Sequence, residues 1–147
     1  MEQNKEMAVK AEHLPIYRFE EALKQLPQVE LPLFNDFCKG IYARTILIPA
    51  GTALTGAVHK DECFFLVRNG CIIITTDDKP IKAESGFMSK SKAGTKRAGI
   101  ALVDTLVTTF HANPEELRDE DKLWDHFTVP APKNILEVLG KTKLEGV

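Results

Sequence analysis

Between Ile41 and His111 the chain is broken every few residues by a turn signal. There is a glycine-led hairpin in "IPAGTALTG", then Asn69-Gly70, then Asp77-Asp78-Lys79-Pro80, then a loop centred on Gly94. The runs between these signals, such as "IYARTILI" and "DTLVTTFH", are short and rich in β-branched residues. Short strands at this spacing predict a small sandwich or barrel rather than βαβ units. Asn69-Gly70 is the dipeptide favoured by two-residue hairpin turns, so "FFLVRN" and "CIIITT" are expected to pair directly. The residues after Gly94 are expected to form two strands bent at Asp104.

The flanks read differently. Residues 1 to about 13 are polar and expected to be mobile. "IYRFEEALKQL" places Phe19, Leu23 and Leu26 on one face of a short helix ended by Pro27, with that stripe docked on the barrel or on a neighbouring subunit. "VELPLFNDF" reads as an extended arm, kept from helix by Pro27 and Pro32. Beyond the β region, Asn113 is a candidate N-cap, Pro114 a first helical residue, and Glu115 and Glu116 suit the positive end of the helix dipole. Leu117 and Trp124 would share one face of that helix, flanked by Leu123 and Phe127. A last amphipathic segment is expected around Ile135, Leu136 and Leu139. The chain therefore divides into an N-terminal helix and arm (1–40), a β-barrel (41–112) and a helical tail (113–147). Phe34, Phe37 and Tyr42, with Leu117 and Trp124, are candidate anchors for contacts between subunits.

Composition narrows the classes. The 147 residues are 44% hydrophobic and 27% charged, which suits one compact domain with peripheral helices. A formal net charge of −2 argues against nucleic-acid binding. The one basic cluster, Lys90, Lys92, Lys96 and Arg97, reads as a solvated loop. No stretch approaches the roughly 18 apolar residues of a membrane span. Three cysteines without a CxxC spacing predict no disulfide framework and a reducing compartment.

One stretch carries candidate chemistry. "IPAGTALTGAVHKDECFFLVRNG" resembles the first motif of the cupin superfamily: a glycine, two histidines in H-x-H, a glutamate and a closing glycine. "GFMSKSKAGTKR" resembles the frame of the second. The resemblance implies a cupin-like jelly-roll barrel whose histidines and glutamate hold a metal inside. Set in register on Gly70, the second histidine falls on His59 and the first on Ala57, while the glutamate position falls on Cys63. The histidine of the second motif falls on Arg97. Strand periodicity lets His59 and Cys63 face the same way, which turns Glu62 outward. Alternatively the turn "KDE" points Glu62 inward. His111, at the end of the last strand, is a further candidate. His59, Cys63 and His111 together would suit zinc or another divalent metal, although no cofactor is expected by default. Arg97 cannot ligate a metal and would instead serve an ion pair, with Glu62 or with an anionic ligand.

A closer likeness covers residues 32 to 113. "YARTILIPAGTALTGAVHKDE" and "SKAGTKRAGIALVDTLVTTFHAN" are similar to a group of small cupin-like proteins encoded by tailed bacteriophages, whose members usually carry histidine at the position of Cys63. Taken with the reduced ligand set, the extended arm and its aromatic anchors, the likeness favours a non-enzymatic virion component, such as a capsid decoration or a tail or head adaptor. Its partners would be copies of itself and other virion proteins, and it would move from host cytoplasm to virion. The alternatives are a metal-dependent enzyme of dioxygenase, isomerase or epimerase type, and a nucleotide-binding accessory protein using the loop from Lys90 to Arg97.

Overall fold

The computed structural model describes residues 9–75 and 79–142. Two antiparallel sheets face each other. The first has five strands in the order β1 (Leu33–Cys38), β2 (Ile41–Ile48), β10 (Thr105–Ala112), β5 (Cys63–Asn69) and β8 (Met88–Ser91). The second has four, in the order β3 (Ala53–Thr55), β9 (Ala98–Ala101), β6 (Cys71–Ile74) and β7 (Ile81–Glu84). β4 (Val58–His59) pairs separately with β11 (Thr128–Val129) from the C-terminal region. The core between the sheets comes from alternate residues of both: Ile48, Phe65, Val67 and Val107 from the first, Ile72, Ile74, Ala83 and Ala101 from the second. Strand alternation thus gives the mainly β jelly roll expected of the sequence, with helices at both ends.

Asn69-Gly70 does not make a hairpin. β5 and β6 lie in different sheets, and Gly70 is the corner between them. Its φ of +115° and its packing against Thr105 require a residue without a side chain. The bend expected at Asp104 does occur, and it likewise carries the chain from β9 in one sheet to β10 in the other. β6 and β7 pair from Ile74↔Ile81 outward, while residues 76–78 of the turn expected there lie outside the described residues.

The expected arm is extended but is not free. Residues 33–38 form β1 and pair along their whole length with β2. The N-terminal helix, α1 (Leu14–Leu23), buries Tyr17 against Ile135 and Leu139 of α3 (Ile135–Thr142). The expected stripe does not dock: Phe19 and Leu26 are exposed, and so is Leu136 of the last segment. Of residues 9–13, expected to be mobile, 11–13 form a 3₁₀ turn and His13 is buried. Residues 1–8 lie outside the described residues.

The helix expected to start at Asn113 starts later. Asn113 is buried, and its side chain both accepts from Leu117 N and donates to Leu117 O, which closes a turn. Glu116 then takes a positive φ of 52°, which no helix continues through. The helix α2 runs over Glu120–Phe127, capped by Asp119, whose side chain accepts from Lys122 N. Leu117 is therefore outside it, and Leu123 and Phe127 form its buried face.

Candidate metal centre

Sheet register builds most of the site. Directly opposite residues of a sheet share a face. Across the first sheet one inward row runs Phe37, Tyr42, His111, and the next runs Asn35, Arg44, Thr109, Phe65. Cys63 lies one step beyond the Phe110↔Phe64 pair, on the same inward face as Phe65. His59 reaches the same place from β4. Its backbone is fixed by the Thr95 carbonyl, by Gly94 N and by the pairing with Thr128. Four rings then stack in a column, Phe37, Tyr42, His111 and His59, with successive centroids 5.3, 5.6 and 5.5 Å apart.

His59, Cys63 and His111 each present a donor atom within 4.8 Å of the others. The Cys63 sulfur is 3.7 Å from His59 Nδ1. Tetrahedral zinc, with bonds of about 2.1 Å to nitrogen and 2.3 Å to sulfur, spaces such atoms about 3.6 Å apart. Thr109 Oγ1 meets His111 Nε2 at 2.9 Å and fixes that ring. Ser91 lies opposite Cys63 in the β5–β8 ladder. Its hydroxyl is buried without a partner at full hydrogen-bond geometry, though it is near enough to favour the Cys63 thiolate.

Burial and nearby arginines keep both imidazoles neutral, while the charge of those arginines opposes a cation. Burial, then the charges of Arg97 and Arg44, hold the His59 pKa down at about 4. Burial, then His59 and Arg44, do the same to His111, also to about 4. Both rings are neutral at pH 7, the form that binds metal. Burial raises the Cys63 pKa, against opposing pulls from Arg97 and Ser91. A bound divalent ion reverses that balance and deprotonates a coordinating thiol. The donor set therefore fits a divalent metal.

A cavity of about 250 Å³ adjoins the two histidines. Its walls are Leu33, Tyr42, Arg44, Ala57 and residues of α2, including Glu120, Asp121, Leu123, Trp124 and Phe127. Sequence reasoning missed Arg44. Its signal was an arginine at an inward position of a strand otherwise apolar on that face.

Other expected site residues are placed elsewhere. Glu62 points outward and meets Lys90 at 3.7 Å on the surface. Arg97, by contrast, lies beside the candidate ligands, its guanidinium 4.3 Å above the inward Phe65 ring and its charge acting on both His59 and Cys63. The basic loop is not one solvated patch, because Lys96 is buried against Glu20 at 3.2 Å. Tyr42 is buried in its own subunit, Phe37 and Leu117 are half-buried against it, and Phe34 and Trp124 are exposed.

Solved structures with this architecture are cupins. A cupin superfamily protein from Desulfitobacterium hafniense matches with a TM-score of 0.50 at 11% identity, over 59% of this chain and 81% of that one. KdgF from Halomonas sp. matches with a TM-score of 0.53 at 15% identity, over 65% and 90%. A salicylate 1,2-dioxygenase from Pseudaminobacter salicylatoxidans matches at 0.53 and 16%, over 69% of this chain and 32% of that one. At these identities the likeness is one of fold. The sequence matches no protein-family model and no curated protein.

Proposed function

We propose that this cupin-fold chain is a metal-binding barrel, with His59, Cys63 and His111 as its three protein ligands. The observation that carries the reading is the convergence of these donors within 4.8 Å beside a cavity. Two imidazoles and a thiolate favour zinc among the divalent ions a cell supplies. Three protein ligands leave a coordination position for a small molecule in the cavity, as in catalytic rather than structural zinc sites. A metal there would supply Lewis-acid polarisation or an activated water. This chain's own residues orient the ligands and shield the centre. Thr109 holds His111, the Tyr42 and Phe127 rings flank it, and β11 clamps the backbone of His59. Metal analysis of the purified chain after zinc loading and desalting tests the reading. About one zinc per chain is expected, lost in His59→Ala and in Cys63→Ser. Far less than one zinc, or a content unchanged in both variants, sinks it.

A second reading has its own observation in favour. The outward face of the five-stranded sheet exposes Phe34, Ile41, Phe64 and Met88, each close to half accessible. Apolar side chains gathered on one sheet face mark a contact surface. This supports a homo-oligomer working through protein contacts, and with it the virion role implied by the tailed-phage likeness. Mass-spectrometric analysis of purified particles is the direct check on that role. Absence of the chain from particles of a phage that expresses it removes the role. No observation favours nucleotide binding at the basic loop, since Lys90 meets Glu62 and Lys96 meets Glu20.

A further inference from the structure

We propose that Arg44 is the anion anchor of the cavity beside the histidines, and that the ligand is a small monocarboxylate with an apolar body. The inference deepens the metal reading, since the carboxylate would lie next to the proposed ions' open position. Arg44 lines the cavity together with His59 and His111. Its guanidinium lies 5.1 Å from the Trp124 ring centre, which holds the fork in place from one side. Among the described residues no carboxylate lies within salt-bridge distance of it, and no group accepts a hydrogen bond from it. Glu120 lines the same cavity, but its Oε2 is engaged by Asn35 Nδ2 at 2.9 Å. Burial lowers the pKa of Arg44, and the charges of Tyr42 and Glu120 offset only part of that cost.

Chemistry then sets the ligand class. A planar guanidinium with free donors matches two coplanar oxygens, which a carboxylate supplies. Tyr42, Leu123, Trp124 and Phe127 give the remaining wall an apolar, largely aromatic character. The cavity, at about 250 Å³, is below the size of sites for drug-sized ligands, so the body must be small. Glu120 and Asp121 also line it and would repel a second negative charge.

Calorimetric titration of benzoate and benzamide into the full chain, zinc-loaded and metal-free, tests the proposal. The two probes share a ring and a size and differ in charge. The expected result is binding of benzoate only, weakened about tenfold or more in Arg44→Met, while the cobalt–thiolate absorption of cobalt-loaded Arg44→Met stays as in wild type. Succinate is expected to bind more weakly than butyrate. No benzoate binding, equal affinity for benzoate and benzamide, or an unchanged benzoate affinity in Arg44→Met overturns the proposal. The comparison of the two probes needs only the wild-type chain, so it stands even if the variant does not fold. Succinate binding more tightly than butyrate overturns the monocarboxylate assignment. A chain that binds benzoate through Arg44 yet takes up no cobalt removes the metal reading and leaves this one intact.

Discussion

An alanine at position 70 would put its Cβ 2.5 Å from Thr105 Oγ1 and 2.7 Å from the Asp104 carbonyl oxygen, on a backbone with φ +115°. Backbone strain and overpacking then add, and Gly70→Ala is expected to cost about 2–5 kcal/mol. Gly40 also has a positive φ, +76°, but a Cβ there meets nothing within 4 Å. Gly40→Ala is expected to cost only about 1–2 kcal/mol. Urea unfolding of both variants checks the contrast, and equal losses would contradict it. The sequence pattern marked Gly70 as a turn but not as a corner between sheets, because the neighbour that forbids a side chain is Thr105, 35 residues on. The candidate ligands were more legible. Strand period suggested a shared side for His59 and Cys63 if one strand ran through both. They lie instead on β4 and β5, in different sheets, so the turn between them and the tertiary fold bring them and His111 together. What periodicity could not supply was Arg44, since its meaning depends on which side chains share the cavity. The two histidines also predict a pH dependence of the metal-free chain. Their folded pKa values, about 4, lie below the usual imidazole value near 6.5. The unfolded chain therefore binds more protons between these limits, and stability present above pH 6.5 is lost as pH falls toward 4. The urea midpoint of the metal-free chain is expected to drop between pH 7.5 and 5, and to drop less in His59→Gln. An equal drop in both would remove His59 from the effect.

At the scale of elements, the helix α1 shows why an apolar stripe misled. It is fastened by a polar latch rather than by Phe19 and Leu26. Lys96, on the loop before β9, buries its amine against Glu20 of α1 at 3.2 Å and donates to the Gly56 carbonyl at 2.7 Å. The same amine sits 4.4 Å from the Tyr17 ring centre, and Thr55 of β3 donates to Glu20 at 2.8 Å. Burial pulls the Lys96 pKa down while Glu20 pulls it up. Removing one member leaves the other charge buried and unpaired. Glu20→Gln is expected to cost about 2–4 kcal/mol, somewhat less than a fully buried pair because Glu20 keeps some exposure. The double variant Glu20→Gln/Lys96→Met is expected to recover part of that loss. Faster proteolysis within residues 14–31 of the single variant would locate the release, and a double variant no more stable than the single one would refute the coupling. The start of α2 was misplaced for a related reason. The helix expected from Asn113 begins instead at Glu120 under the Asp119 cap, because the Asn113 side chain is spent on the Leu117 backbone. β1 was read as an arm because its partner, β2, is reached only once register is known.

At the scale of the whole molecule, the outward face of the first sheet decides how copies would meet. Register gives two outward rows across it, Phe34, Thr45, Thr108, Leu66, Met88 and Asp36, Ala43, Phe110, Phe64, Lys90. Antiparallel sheets with one solvated face usually carry polar residues there. Here the centre is apolar, apart from a Thr45–Thr108 hydroxyl pair at 2.6 Å that is almost wholly buried. Charge sits only at the row's ends, Asp36 on the β1 edge and Lys90 on the β8 edge. A two-fold axis along the strands would lay each β1 edge over the partner's β8 edge, so Asp36 would approach the partner's Lys90 twice in a self-complementary contact. An axis across the strands would set like charges together. The first arrangement predicts a dimer that Phe64→Lys converts to monomer without loss of thermal stability in the subunit. It further predicts that Asp36→Lys and Lys90→Asp each weaken association and that combining them restores it. Sedimentation of the four chains over a range of concentrations reads both effects. A monomeric wild-type chain at high concentration ends the contact-surface reading, while a dimer indifferent to Phe64→Lys places its interface elsewhere. In neither case are the candidate ligands touched, because Cys63 and His111 face the opposite side of that sheet and His59 joins them there from β4.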